Sequence, residues 1–123
     1  RLTDSGPIDW KYYTPELLES RLENGDVIVL EFTAEWCLNC KLLEGTVLND
    51  PAVAEALGAD GVTPIKIDLT GNNVSGNALL NGLGGLRIPL LIILGPDGEE
   101  VFRGDFYTVD QVLDAIATSQ GVD

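Results

Sequence analysis

The sequence predicts an α/β fold: a central mixed sheet with helices on both faces, closed by a C-terminal β-hairpin and helix. Three observations carry this. Val27-Ile28-Val29-Leu30-Glu31-Phe32 is almost continuously apolar, the pattern of a central strand covered on both faces. Strand-like and helix-like runs then alternate, which implies a mostly parallel sheet. Finally, Gly95-Pro96-Asp97-Gly98 is a turn between two short strand-like runs, so the last pair returns as a hairpin.

In chain order, residues 1–7 read as an arm or linker and residues 8–123 as one domain. Ile8 to Tyr12 offers a short edge strand. Thr14-Pro15-Glu16 starts a helix, with Thr14 as cap and Pro15 at the first helical position, and Asn24-Gly25 ends it. After the central strand, a helix is expected from about Cys37 to Leu48. Asp50 caps and Pro51 leads a second short helix through Leu57. Thr63 to Leu69 reads as a parallel strand and Gly76 to Leu83 as a weak, glycine-broken helix. Pro89 to Leu94 is a further strand, with Glu100 to Arg103 as its hairpin partner. Thr108-Val109-Asp110-Gln111 is a capping box that opens the last helix, with Val112, Leu113 and Ile116 facing the sheet.

Composition narrows the function. At 123 residues and 45% hydrophobic, the chain can bury a real core. Seven basic residues stand against 20 acidic ones, formally −13, so phosphate backbones and anionic lipid surfaces are repelled and no nucleic-acid partner is expected. Histidine is absent, which removes histidine triads and histidine metal sites; two cysteines alone cannot complete a zinc ribbon, and no metal is expected. The longest apolar run, Leu90 to Leu94, falls far short of the ~20 residues that span a bilayer. Arg1 opens directly into polar residues without an initiating methionine, which suggests a processed protein or a domain cut from a longer one, with no signal peptide of its own.

Both cysteines lie in Phe32-Thr33-Ala34-Glu35-Trp36-Cys37-Leu38-Asn39-Cys40-Lys41, directly behind the apolar strand. Two thiols at that spacing can close and reopen a small disulfide ring. A helix beginning at Cys37 aims unsatisfied N–H groups at its sulfur and favours the thiolate. Cys37 is therefore the expected nucleophile and Cys40 the resolving thiol. An inert staple is the other reading, but so short a loop constrains little of the unfolded chain. Glu31 lies in the strand; Glu44 lies seven residues after Cys37 on the same helix face, with Leu43 and Val47. A carboxylate near a thiol disfavours the thiolate, and either acid could relay the Cys40 proton. Spacing alone leaves open a Glu44 paired with Lys41 at the surface and a Glu31 turned to solvent.

Glu35-Trp36-Cys37-x-x-Cys40-Lys41 after an apolar strand, with Arg87-Ile88-Pro89 some fifty residues later, resembles the thioredoxin superfamily over about residues 26–118. The cysteine stretch, Asn49-Asp50-Pro51-Ala52-Val53, and the lead-in Ile8-Asp9-Trp10-Lys11-Tyr12-Tyr13-Thr14-Pro15-Glu16 are similar to the C-terminal periplasmic domain of DsbD-type transmembrane thiol:disulfide reductases. The resemblance implies a thioredoxin-like fold and a cis Ile88–Pro89 bond lying against the disulfide. It implies that the Ile88 backbone pairs with a substrate chain, and that Trp36 shields Cys37. It further implies that Glu31 and Glu44 tune the cysteines, although Glu31 is one methylene longer than the aspartate usual there. The implied protein is a periplasmic electron relay tethered to the inner membrane. It would be monomeric as a domain, take electrons from a transmembrane cysteine pair and pass them to a periplasmic acceptor domain, with no cofactor beyond the Cys37–Cys40 disulfide. Neither Leu38 nor Asn39 places a positive charge on the Cys37 thiolate, so a reductant or relay is expected rather than an oxidase. The alternatives are a free-standing thioredoxin-like reductase, for instance in cytochrome c maturation, and a non-catalytic binding module.

Overall fold

The computed structural model describes residues 6–121. Of the expected arm, Gly6 and Pro7 are exposed bends, and residues 1–5 lie outside the described residues. Five strands form one sheet, β1 (Lys11–Tyr12), β2 (Val27–Thr33), β3 (Val62–Asp68), β4 (Leu90–Leu94) and β5 (Glu100–Gly104), in the order β1-β3-β2-β4-β5. β3 runs parallel to both β1 and β2, whereas β4 is antiparallel to both β2 and β5. The sheet is thus mixed, and the mostly parallel arrangement expected from alternation holds for only half of it. The correction has a simple cause: the long return through residues 83–89 brings the chain back beside β2 in the opposite direction, which local pattern does not encode.

Helices cover both faces. α1 (Pro15–Glu23) and α4 (Val74–Gly82) lie over Ile28, Leu30, Phe32, Ile65, Ile67 and Ile92. α2 (Leu38–Leu43), α3 (Pro51–Leu57) and α5 (Val109–Ser119) lie over Val27, Val29, Leu91 and Ile93. The starts are those the sequence encodes. Thr14 accepts from the Leu17 amide, Asp50 from Ala52, and Thr108 and Gln111 close a reciprocal capping box. Asn73 accepts from the Gly76 amide through its side-chain oxygen and so caps α4. All seven residues of β2 are buried, and each fully buried aliphatic or aromatic side chain contributes about 1.5–3 kcal/mol.

One expected element is broken. The helix from Cys37 to Leu48 is α-helical only from Leu38 to Leu43, and Glu44–Leu48 is a π-helical turn in which the Asn49 amide bonds the Glu44 carbonyl at 2.9 Å. The extra residue in that turn lets Leu43, Val47 and Leu48 all reach the core.

Candidate active site

β2 hands the chain to α2 through Ala34-Glu35-Trp36. This turn is pinned from the side, because the Glu35 amide donates to Thr70 Oγ1 at 2.8 Å and the Leu69 amide to the Thr33 carbonyl at 2.8 Å. Cys37 is the N-cap of α2, in extended backbone, and its Sγ accepts from the Cys40 amide at 3.2 Å. The two cysteines are joined in a disulfide. Cys40 is 1% exposed and Cys37 7%, so Cys37 is the one nearer solvent. On reduction the same Cys40 amide would face a Cys37 thiolate, which it favours.

The disulfide packs on Ala34 and on half-buried Ile88. The Ile88–Pro89 bond is cis, and Pro89 lies just before β4 rather than opening it. The loop before it is set by two glycines: Gly84 has a positive φ of 79°, and a Cβ on Gly85 would run into Leu80 and Leu90. Arg103 braces its base by donating to the Leu83 carbonyl at 2.6 Å while bonding both carboxylate oxygens of Glu100. Trp36 is 66% exposed, near the still more open Leu38; the side chain packed on the cysteines is Ile88, so Trp36 is neither a core tryptophan nor buried against Cys37.

The two acids meet each other. Glu31, on the same face of β2 as Val29 and Thr33, is 2% exposed, so it does not point to solvent. Glu44 opens the π turn one helical turn after Cys40 and hydrogen-bonds Glu31. Thr33 Oγ1 donates to Glu44 Oε2 at 2.8 Å, and Lys41 Nζ lies 3.7 Å from Glu44 Oε1. The Lys41 partnership therefore exists, but as one side of a mostly buried group. Burial pushes the Glu31 carboxyl well up, reinforced by the Glu44 hydrogen bond and charge and only partly offset by Lys66 and Lys41. Burial also pushes Glu44 up, but the hydrogen bonds from Glu31 and Thr33, with Lys66 and Lys41, outweigh it and hold it below the usual range. The two carboxyls are thus pulled apart, Glu31 toward its neutral form and Glu44 toward its ionised one, where spacing suggested two independent acids.

Three further residues complete this pocket, and the sequence reading passed over all of them. Lys66, opposite Glu31 in the β2–β3 register, places Nζ 3.8 Å from Glu31 Oε1 and 5.1 Å from the centre of the Trp10 ring. Its signal was a lysine between Ile65 and Ile67 in an otherwise apolar strand. Thr33 ends β2 on the Glu31 face. Tyr107 is buried against the same core, and its phenol is raised by burial and by the charges of Glu31 and Glu44. Lys41 is half-exposed and also pairs with Glu35 at 3.5 Å. Among the described residues no group of three or more His, Cys, Asp or Glu side chains could hold a metal, and no helix is long and apolar enough to cross a membrane.

Comparison with known proteins gives a consistent picture. A family model described as thioredoxin-like matches residues 9–96. The thiol:disulfide interchange protein DsbD of Pseudomonas fluorescens is 36% identical over 83 residues, which is 68% of this chain but 14% of that protein. DsbD of Salmonella choleraesuis is 37% identical over 76 residues, 62% of this chain and 13% of that one. This chain therefore spans only a small part of the curated relatives it matches. Among solved structures, the reduced C-terminal domain of DsbD from Neisseria meningitidis superimposes with a TM-score of 0.68 at 25% identity, covering 89% of this chain and 99% of that domain. An oxidoreductase named DsbH superimposes with a TM-score of 0.74 at 17% identity over 100% of this chain and 91% of its own, a likeness of fold.

Proposed function

The chain belongs to the thioredoxin-like family, and from that premise we propose that it is a thiol:disulfide oxidoreductase that relays electrons through Cys37 and Cys40. It works as the C-terminal domain of a DsbD-like transmembrane reductase on the periplasmic side of the inner membrane. The observation that carries this reading is the closed Cys37–Cys40 ring at the β2–α2 junction, packed against Ile88. A binding module would have no use for a dithiol held at a helix start.

A thiolate of the donor, a transmembrane cysteine pair, attacks Cys37 Sγ. The Cys37–Cys40 bond breaks and Cys40 leaves as a thiolate that takes up a proton. The donor's second thiolate then displaces Cys37, so the donor becomes a disulfide and this domain a dithiol, with two electrons moved. Toward the acceptor the steps reverse: Cys37 attacks the periplasmic acceptor disulfide, and Cys40, after losing its proton, resolves the mixed disulfide. Glu31, whose carboxyl burial holds well above the usual range beside Glu44, supplies and recovers the Cys40 proton. The Glu44 charge restrains the Cys37 thiolate. Lys41 does little to offset this, because it is engaged with Glu35 and Glu44. Exposed Trp36 and the Ile88-Pro89 backbone receive the partner chain.

In the test, Cys37→Ser abolishes exchange with oxidised glutathione, whereas Cys40→Ser accumulates mixed disulfides through Cys37. Equal trapping by both variants would overturn the assigned order. A chain that forms no mixed disulfide at all would be a binding module.

A further inference from the structure

Beside the loop that carries Ile88 lies a cleft of about 340 Å³ that the exchange chemistry leaves unused. Gly84 and Gly85 line it together with Leu86, Arg87, Arg103 and Asp105; none of residues 34–40, and neither Ile88 nor Pro89, does so. No side chain fills it from the glycines, since Gly84 has a positive φ and a Cβ on Gly85 would run into Leu80 and Leu90. Leu86 is 93% exposed, the most open large apolar side chain among the described residues. The cleft is at the lower end of the ~300–1,000 Å³ range of ligand pockets.

Two of the chain's seven basic residues border this cleft, in a molecule with 20 acidic ones. They are held very differently. Arg103 is fully engaged: its guanidinium bonds both carboxylate oxygens of Glu100 and the Leu83 carbonyl. Arg87 makes no hydrogen bond among the described residues, and its ion pair with Asp105 Oδ2 spans 4.0 Å. The two side chains are 80% and 64% exposed, a setting in which an ion pair holds its partners weakly. Lys41, by contrast, is shared between Glu35 and Glu44. Arg87 therefore presents unused donors in the fork geometry that takes a carboxylate through two parallel bonds.

We propose that Arg87 and this cleft form a subsite for a carboxylate on the partner chain, so that the domain selects disulfides with Asp or Glu close to the reacting cysteine. This rests on the reading above that the Ile88-Pro89 backbone receives that chain. Arg87 directly precedes Ile88, and an extended chain advances ~3.3 Å per residue, so the acid falls within about three positions of the partner cysteine. Its carboxylate displaces Asp105 from Arg87, its methylenes lie on Leu86, and no covalent step is added. The net charge of −13 draws a basic partner toward the whole domain but gives it no orientation. An acid on such a partner meets few cations here, and Arg87 is the exposed one least engaged. The contact thus fixes which way round the partner chain lies.

The test uses the reduced 123-residue chain and short peptides whose single cysteine is disulfide-linked to thionitrobenzoate. Cys37 attacks the peptide sulfur, thionitrobenzoate leaves as a coloured thiolate, and Cys40 then releases the peptide thiol as the Cys37–Cys40 disulfide closes. Each peptide carries Glu, Gln or Lys at one of the three positions on either side of its cysteine. Every rate is divided by the same peptide's rate with dithiothreitol, which removes intrinsic differences in reactivity. At low ionic strength, Glu at one position should react about threefold faster than Gln and about tenfold faster than Lys. Arg87→Gln should bring the Glu-to-Gln ratio to about one, Arg87→Glu should invert it, and Asp105→Asn should raise it about twofold. Each is a ratio within one variant, so partial loss of folded protein does not move it. A Glu preference that survives Arg87→Gln would overturn the proposal, and faster Lys peptides would overturn it by assigning the cleft to Asp105 and a cationic partner. A chain that reduces no peptide overturns the exchange reading and this proposal together, whereas equal Glu and Gln rates at all positions overturn the proposal alone.

Discussion

The two faces of β2 use the same backbone for different ends. On the face under α1 and α4, Ile28, Leu30 and Phe32 meet Ile65, Ile67 and Ile92, all apolar and none with measurable exposure. On the face under α2, α3 and α5, Val27 and Val29 give way to Glu31 and Thr33 toward the disulfide end, where Lys66, Glu44 and Tyr107 converge. The strand alternates with period two, so it can hold a dry core on one side and a titrating pocket on the other without a change of conformation. The difference teaches that the apolar face supplies stability and the polar face gives part of it up for control of protons. Neighbouring residues should therefore separate in mutation.

The largest effect is expected at Phe32. Phe32→Ala removes the biggest fully buried side chain of the apolar face and should cost about 3–5 kcal/mol in denaturant unfolding. The Cys37 titration of the folded fraction should stay in place, and a shift there would join the two faces that the account separates.

Glu31→Gln should act through pH. Glu31 is raised in the folded chain, so its contribution to stability is full below the unfolded value of about 4.3 and falls as pH rises toward the folded value, at up to about 1.4 kcal/mol per pH unit. Glu44, held low, contributes in the opposite sense, with stability present above the unfolded value and lost as pH falls through its folded one. Urea unfolding between about pH 5 and pH 7 should thus show the parent chain losing stability relative to Glu31→Gln. Parallel curves would mean that Glu31 ionises normally.

Thr33→Val is the smaller change. It removes the hydroxyl that donates to Glu44 Oε2 and should cost about 1–2 kcal/mol near neutral pH, with the Glu44 carboxyl moving back up in an NMR titration. An unmoved Glu44 would assign its low value to Glu31 and the lysines alone.

Much of this was legible in the sequence. The caps at Thr14, Asp50 and Thr108 act through bonds two or three residues away, so local pattern reveals them. The apolar run of β2 and the two cysteines behind it place the site at a strand–helix junction. Glu31 and Glu44 stood out as acids among apolar residues. Their pairing did not, because it depends on which face of β2 the π turn covers, and a one-residue change of helical phase after Leu43 decides that. Lys66 was hidden for a related reason, since only the β2–β3 register sets it opposite Glu31. The antiparallel entry of β4 was equally non-local.

The central claim is that the buried pair, through the Glu44 charge, restrains the Cys37 thiolate. Its most direct test is a pH titration of Cys37 in the reduced chain, run beside Glu44→Gln and an equilibrium against glutathione. The account predicts that Glu44→Gln lets Cys37 ionise at lower pH and makes the dithiol harder to oxidise, because a stabilised thiolate favours the reduced form. Superimposable titrations of the two chains would contradict it.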